Sequence, residues 1–207
     1  MNKVLGTVLV VSGPSGVGKS TICQAVREKY KDLAFSISCT TRSPRPGEID
    51  GVHYYFISRE EFEKRIKQGL FIEYAKVFDN YYGTLRSEVL DRAQQGIDVF
   101  LDIDVQGAMQ IKEKLPDDQL LSKCCEFIFI GPPSLATLKE RLCNRGTEGE
   151  EQLQKRLGEA SKELARWKCY DYLVINDHLE RAVDEFNAII ASCHAKTDKY
   201  PEELFNE

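Results

Sequence analysis

Long apolar runs are missing from this 207-residue sequence, and none approaches the roughly 20 residues that cross a bilayer as a helix. The first stretch, MNKVLGTVLVVSG, is apolar but has no small-residue cleavage pattern and soon turns glycine-rich, so a secretory leader is not expected. Long basic runs are missing too, and the net charge is −5; neither nucleic acid nor a membrane is an expected partner. A local arginine cluster can still serve a small anionic ligand whatever the net charge. No C-x-x-C pair occurs, and the three histidines, His53, His178 and His194, are scattered, which argues against a zinc site. The seven cysteines (Cys23, Cys39, Cys124, Cys125, Cys143, Cys169 and Cys193) are odd in number and include an adjacent pair, a poor disulfide framework; reduced thiols in a cytoplasmic protein are expected. Repeats and low-complexity linkers are also absent. What remains is 42% hydrophobic, enough for one domain, or for one core with inserted subdomains.

The apolar residues fall into recognisable patterns. TVLVV (7–11) is β-branched and apolar throughout, as in a strand buried on both faces of a parallel sheet. Helical character follows from Lys19 to Tyr30. DVFLDID (98–104), CEFIFIG (125–131) and DYLVIN (171–176) are further strands, and helices between them imply β-α-β crossovers. The texture changes between the first helix and Asp98. SREEFEKRIKQG (58–69) is a helix opened by a capping box, Ser58 with Glu61, and closed at Gly69. Strand-like pieces VHYYFI, FIEYAKV and NYYGT surround it, so a small mixed α/β insertion is expected. A second insertion follows Pro132 and Pro133. There Ser134 caps a helix to Asn144, and after RGTEGEE a long helix carries Leu153, Leu157, Ala160, Leu164 and Trp167 at helical spacing.

GPSGVGKS (13–20) matches G-x-x-x-x-G-K-[S/T] between a buried strand and a helix, the context that motif requires. Gly13, Gly16 and Gly18 let the backbone turn its N–H groups towards phosphate oxygens, and the helix adds its positive N-terminal end. Lys19 can reach the β- and γ-phosphates and Ser20 can ligate Mg²⁺. In FLDID, Asp102 and Asp104 lie at period two where ligands collect beyond the carboxyl ends of parallel strands, and one of them can organise the metal as a Walker B acid does. The motif alone does not separate GTPase, ATPase and kinase. The guanine-reading N-K-x-D of GTPases is missing, and motor or transport ATPases are larger, so a small nucleotide kinase fits best.

Residues 38–56, SCTTRSPRPGEIDGVHYYF, have little regular period and combine Arg42 and Arg45 with hydroxyls and a tyrosine pair. Such a loop is either a solvated connection or half of a phosphate site. With SGPSGVGKST, this segment, FIEYA, NYYGT, LDIDVQG, RGTE and VIND, the sequence resembles the guanylate kinase family over essentially its full length.

The resemblance implies an α/β fold: a P-loop NTPase core with a parallel sheet flanked by helices (1–36, 91–131 and 168–207), a small mixed α/β GMP-binding insertion (37–90) and a helical lid (132–167). It implies the reaction ATP + GMP → ADP + GDP with Mg²⁺. ATP is then expected on Gly13, Pro14, Ser15, Gly16, Val17, Gly18, Lys19, Ser20 and Thr21, with Arg141 and, near adenine, Asn176. The GMP phosphate is expected on Arg42, Arg45, Tyr54 and Tyr82, and guanine between Ser38, Glu73, Thr84 and Asp104; Glu73 alternates with apolar Ile72, so the wet face of an ordinary strand is its other reading. Ser20 and Asp102 are the expected metal residues. Lys19, Arg42, Arg145 and Arg156 carry the catalytic charge, stabilising phosphoryl transfer by position and neutralisation without a strong general base. Thr84 and Cys39 stand where the family often has serine; at 84 the hydroxyl is kept. Two rival readings stay open. One is a non-catalytic peptide-binding module of the same fold, which typically has a degraded phosphate loop. The other is a kinase for a different nucleoside monophosphate.

Overall fold

Residues 7–11 form most of β1 (Val8–Ser12), and neither of its faces meets water. Val8 and Val10 enter one core while Leu9 and Val11 enter another on the opposite side. A computed structural model describes residues 4–77, 79–144 and 150–200. After β1 come α1 (Lys19–Lys29), β2 (Ala34–Phe35), β3 (Cys39–Thr40), β4 (Tyr55–Phe56), α2 (Arg59–Lys67), β5 (Phe71–Val77) and β6 (Asn80–Leu85). The chain continues through α3 (Arg86–Gln94), β7 (Val99–Asp102), α4 (Val105–Lys114), α5 (Gln119–Cys124) and β8 (Cys125–Gly131). It ends with α6 (Leu135–Asn144), α7 (Glu150–Leu164), β9 (Tyr172–Ile175) and α8 (Leu179–His194).

Five strands pair in the order β2-β7-β1-β8-β9, all parallel. Parallel pairing needs crossovers, and the crossovers lay helices on both faces. Leu101, Phe127 and Phe129 pack with α3, α4 and α5, whereas Phe100, Ile128 and Ile130 pack with α1 and α8. This is the expected mixed α/β fold with a parallel sheet flanked by helices.

A second sheet, β4-β3-β6-β5, lies between residues 39 and 85. Its own small core is aromatic: Phe62 of α2 stacks on Phe71 at 4.3 Å and on Tyr81 at 5.1 Å between ring centroids. Ser58 caps α2 by accepting from the Glu61 N–H at 3.2 Å, while the Glu61 carboxylate pairs with Arg65. α3 packs against both β6 and β7, so the junction placed between residues 90 and 91 falls inside a helix shared by the two sheets.

Ser134 accepts from the Thr137 N–H at the start of α6, as its sequence position indicates. α6 and α7 share a separate cluster in which Leu138, Leu142 and Ala160 are buried and Leu153, Leu157 and Leu164 flank them. Trp167 leaves this stripe: the helix ends at Leu164, and Trp167 sits 43% exposed in a 3-10 turn. No helix among the described residues is long and apolar enough to cross a membrane.

Candidate active site

The loop after β1 opens α1 at Lys19, with Gly18 as its N-cap in the left-handed region (φ 92°). A Cβ at Gly18 would collide with the Asn176 amide, so both backbone conformation and space require glycine there. The loop is held from behind. Asn176, which is buried, donates to the Val17 carbonyl at 2.8 Å. Arg141 donates to the same carbonyl at 3.2 Å and to the Asn176 carbonyl at 3.0 Å. Both residues, expected at the nucleotide, thus brace the loop's backbone from the ends of α6 and β9. Gly13 to Ser20 line a cavity of about 300 Å³ with Asp102, Asp104 and Glu163. Pro14 and Val17 are buried in the loop, Ser15 and Ser20 are exposed, and Thr21 begins the helical bonding with a backbone bond to Gly18.

Lys19 reaches across this cavity to the end of β7, placing its ammonium 2.8 Å from Asp102 Oδ1 and 3.1 Å from the Ile103 carbonyl. β7 ends at Asp102, so the period-two relation between the two aspartates does not hold. Asp104 instead caps α4 by accepting from the Gly107 N–H at 2.7 Å. Both nevertheless line the same cavity, because the chain turns from strand to helix there.

In the 38–56 loop, Arg42 makes a bidentate pair with Glu48, at 2.8 and 2.9 Å. Glu48 also accepts from the Arg45 N–H at 2.7 Å. These contacts, Arg42 foremost, hold the Glu48 carboxyl down at about 2. Bonding to Glu48, and then to Tyr82, pushes the Arg42 guanidinium above its already high ordinary value. Its carbon lies 5.5 Å from the Tyr54 ring centre, and Tyr54 and Tyr82 meet edge to face at 6.0 Å. The structure therefore groups Arg42, Tyr54 and Tyr82, whereas the Arg45 side chain is exposed. The loop is not a loosely solvated connection: β3 and β4 anchor its ends and Glu48 ties its middle.

The third cluster is buried. Glu73 is 6% exposed, which removes the alternative that it lies on the wet face of a strand. A bulge between Phe71 and Glu73 breaks the alternation, so Phe71, Ile72 and Glu73 are all covered. Thr84 Oγ1 donates to Glu73 Oε1 at 2.7 Å, and Ser38 Oγ lies 3.1 Å from Thr84 Oγ1. Burial pushes the Glu73 carboxyl up to about 7; the negative charge of Asp104 adds to this, while Thr84 and Lys114 oppose it.

A cleft of about 1110 Å³ lies alongside, lined by Ser38, Glu48, Tyr54, Phe35, Ser20 and Asp102 among others. Ser20 and Asp102 belong to both cavities. They offer a hydroxyl and a carboxylate, hard oxygen donors of the kind Mg²⁺ takes. Among the described residues no three His, Cys, Asp or Glu side chains gather into a metal cage.

Glu48 and Glu163 are site residues that sequence reasoning missed. Glu48 was visible as one of two acids inside RPGEIDG, six residues from Arg42. Glu163 carries no motif; α7 brings it to the phosphate cavity, where burial and then Asp104 push its carboxyl up while Lys19 and the Ser15 amide pull it down. Arg156 lies half-buried on α7. Arg145 falls outside the described residues.

A glycine-rich loop between a buried parallel strand and a helix, with an acid at the end of the neighbouring strand, defines a P-loop nucleotide-binding protein. Comparison with known proteins narrows this class. The guanylate kinase family model matches residues 6–193. A guanylate kinase of Caldanaerobacter subterraneus is 49% identical over 95% of this chain and 92% of its own length. One from Symbiobacterium thermophilum is 48% identical over 95% and 90%. Among solved structures, the guanylate kinase of Anaplasma phagocytophilum superposes with a TM-score of 0.72 at 32% identity, covering 95% of this chain and 90% of that one. The chain belongs to the guanylate kinase family, which are nucleoside monophosphate kinases.

Proposed function

We propose that the two cavities divide the guanylate kinase reaction, phosphoryl transfer from ATP to GMP, between them. ATP lies with its phosphates on Gly13–Thr21, and GMP lies in the cleft between the 37–90 insertion and the core. The supporting observation is that Ser20 and Asp102 line both cavities, so donor and acceptor phosphates meet at one edge.

Lys19 lies at that edge and neutralises charge on the transferring group. Ser20 and Asp102 are the residues that would hold Mg²⁺, which would supply further positive charge beside the phosphate oxygens. Arg42 presents a guanidinium fork to the GMP phosphate, aided by the Tyr54 and Tyr82 hydroxyls and by Arg45. Glu73 accepts from guanine N1–H and N2–H, held by the Thr84 hydroxyl, while the Ser38 hydroxyl donates to O6; Asp104 completes the base site. Arg156 closes over the ATP phosphates from the lid, and Arg141 and Asn176 keep the loop's carbonyl turned away from them. Seven unpaired cysteines suit a reducing cytoplasm.

A coupled assay with ATP, Mg²⁺ and a panel of nucleoside monophosphates tests this reading. GMP should be the preferred acceptor, and Glu73→Gln should cost it about 1–3 kcal/mol in kcat/KM, the loss of a charged hydrogen-bond partner. An unchanged GMP-to-AMP ratio in Glu73→Gln would move the guanine site elsewhere.

A further inference from the structure

β5 is an edge strand of its sheet, and an edge strand leaves a row of backbone groups unpaired. Here α4, a helix of the five-stranded layer, pairs them. Gln110 Oε1 accepts from the Tyr74 N–H at 3.2 Å, and Gln110 Nε2 donates to the Tyr74 carbonyl at 2.9 Å, as a neighbouring strand would. One turn further on, Lys114 Nζ donates to the Ile72 carbonyl at 2.6 Å. The residues on either side of Glu73 are thus fixed to α4. One turn back stands Gly107, and a Cβ built there would lie 2.9 Å from Glu73 Oε2 and 3.4 Å from Asp104 Oδ1. Positions 107, 110 and 114 share one helical face. The same helix carries Asp104 at its N-cap.

We infer that the Gly107–Gln110–Lys114 face of α4 is a positioning element that sets the spacing of the Glu73 and Asp104 carboxylates and thereby the selectivity for guanine. This rests on the reading of Glu73 as the guanine acceptor. None of the three residues need touch the nucleotide. Gln110 and Lys114 fix the strand at Glu73 from both sides, and the missing side chain at 107 leaves room for the carboxylate. A carboxylate misplaced by about 1 Å loses much of its hydrogen bonding, and such errors can cost up to about 10²-fold in rate. Lys114 has a second effect through its charge. Burial and then Asp104 disfavour the ionised form of Glu73, the Thr84 hydrogen bonds favour it, and the Lys114 charge adds to them; Ser38 stands behind Thr84.

The test compares Gln110→Leu, Gly107→Ala and Glu73→Gln in the full chain, with kcat and KM for GMP and AMP and KM for ATP. Gln110→Leu should raise KM for GMP about tenfold and lower the GMP-to-AMP ratio, leaving KM for ATP within about twofold. Gly107→Ala should do the same while improving helix propensity, so a weakened helix cannot explain the loss. Shortening the carboxylate in the Gly107→Ala, Glu73→Asp double variant should recover GMP activity beyond the product of the two single effects by about tenfold. Normal GMP kinetics in both single α4 variants, equal rises in both KM values, or an additive double variant overturns the inference. If Glu73→Gln leaves the GMP-to-AMP ratio unchanged, the guanine reading itself fails, and the inference fails with it. If Glu73→Gln lowers the ratio and the α4 variants do not, only the positioning role is lost.

Discussion

The phosphate loop offers an anion backbone N–H groups, whereas the 39–85 sheet offers one side chains carried on separate strands and a long loop. In the first, side chains such as Asn176 and Arg141 serve the backbone from behind. In the second, the backbone serves the side chains: β3, β5 and β6 hold Ser38, Glu73 and Thr84 in one hydrogen-bonded chain. A backbone site recognises what all nucleoside triphosphates share. A side-chain site can recognise one base, because each atom is chosen separately.

The difference breaks most sharply at the two cations. Lys19→Met should lower turnover by about 10²-fold or more, the scale of one electrostatic transition-state contact, with little change in KM for GMP. Steady-state kinetics on folded protein decide it, and near-normal turnover would remove Lys19 from the chemistry. Arg42→Met should act the other way round. KM for GMP should rise about 10–100-fold, the loss of a charged bond of about 1.5–3 kcal/mol, with KM for ATP nearly constant. Equal effects on both substrates would mean that the two cavities do not divide the substrates.

A smaller effect separates the halves by pH. Glu73 keeps its proton up to about 7 in the folded protein, against an ordinary value of 4.5. Its contribution to stability is therefore greatest below the ordinary value and is lost as pH rises towards 7, because the folded state binds the extra proton. Reading guanine requires the carboxylate, so affinity for GMP should improve over the same rise. KM for GMP measured between about pH 6 and 8 should fall, by at most about tenfold per pH unit, and this limb should vanish in Glu73→Gln. A profile identical in wild type and variant would assign the titration to the nucleotide. The smallest effect is expected behind the loop. Asn176→Ala removes a buried bond to Val17 and should cost about 1–2 kcal/mol of stability in urea unfolding, with KM raised for ATP and not for GMP.

The same contrast explains what was legible in the sequence. Gly13, Gly16, Gly18, Lys19 and Ser20 lie within eight residues, so a local pattern carries the backbone site, and β1, β8 and β9 carry apolar runs that only a buried parallel sheet explains. Ser38, Glu73, Thr84 and Asp104 spread over more than sixty positions, and only the family resemblance joined them. Period-two reasoning left Glu73 with a solvent-facing alternative because a bulge cannot be seen in FIEYA. It also ran β7 on to Asp104, where a side-chain cap had already started α4. Trp167 matched the helical spacing of Leu153 to Leu164, yet the chain had left the helix before reaching it.

Glu48 beside Arg42, Asp102 beside Lys19 and Glu163 over the loop amides have a joint consequence for ionic strength. Lys19, Arg42 and the loop amides thus each already face a tethered carboxylate. An entering phosphate exchanges with these fixed counter-anions and displaces few ions from bulk solution. Added salt, which screens an open basic patch over a Debye length of about 10 Å at 0.1 M, weakens the resident pair and the incoming one alike. Nucleotide affinity in this protein should therefore tolerate salt better than the number of arginines and lysines around its substrates suggests.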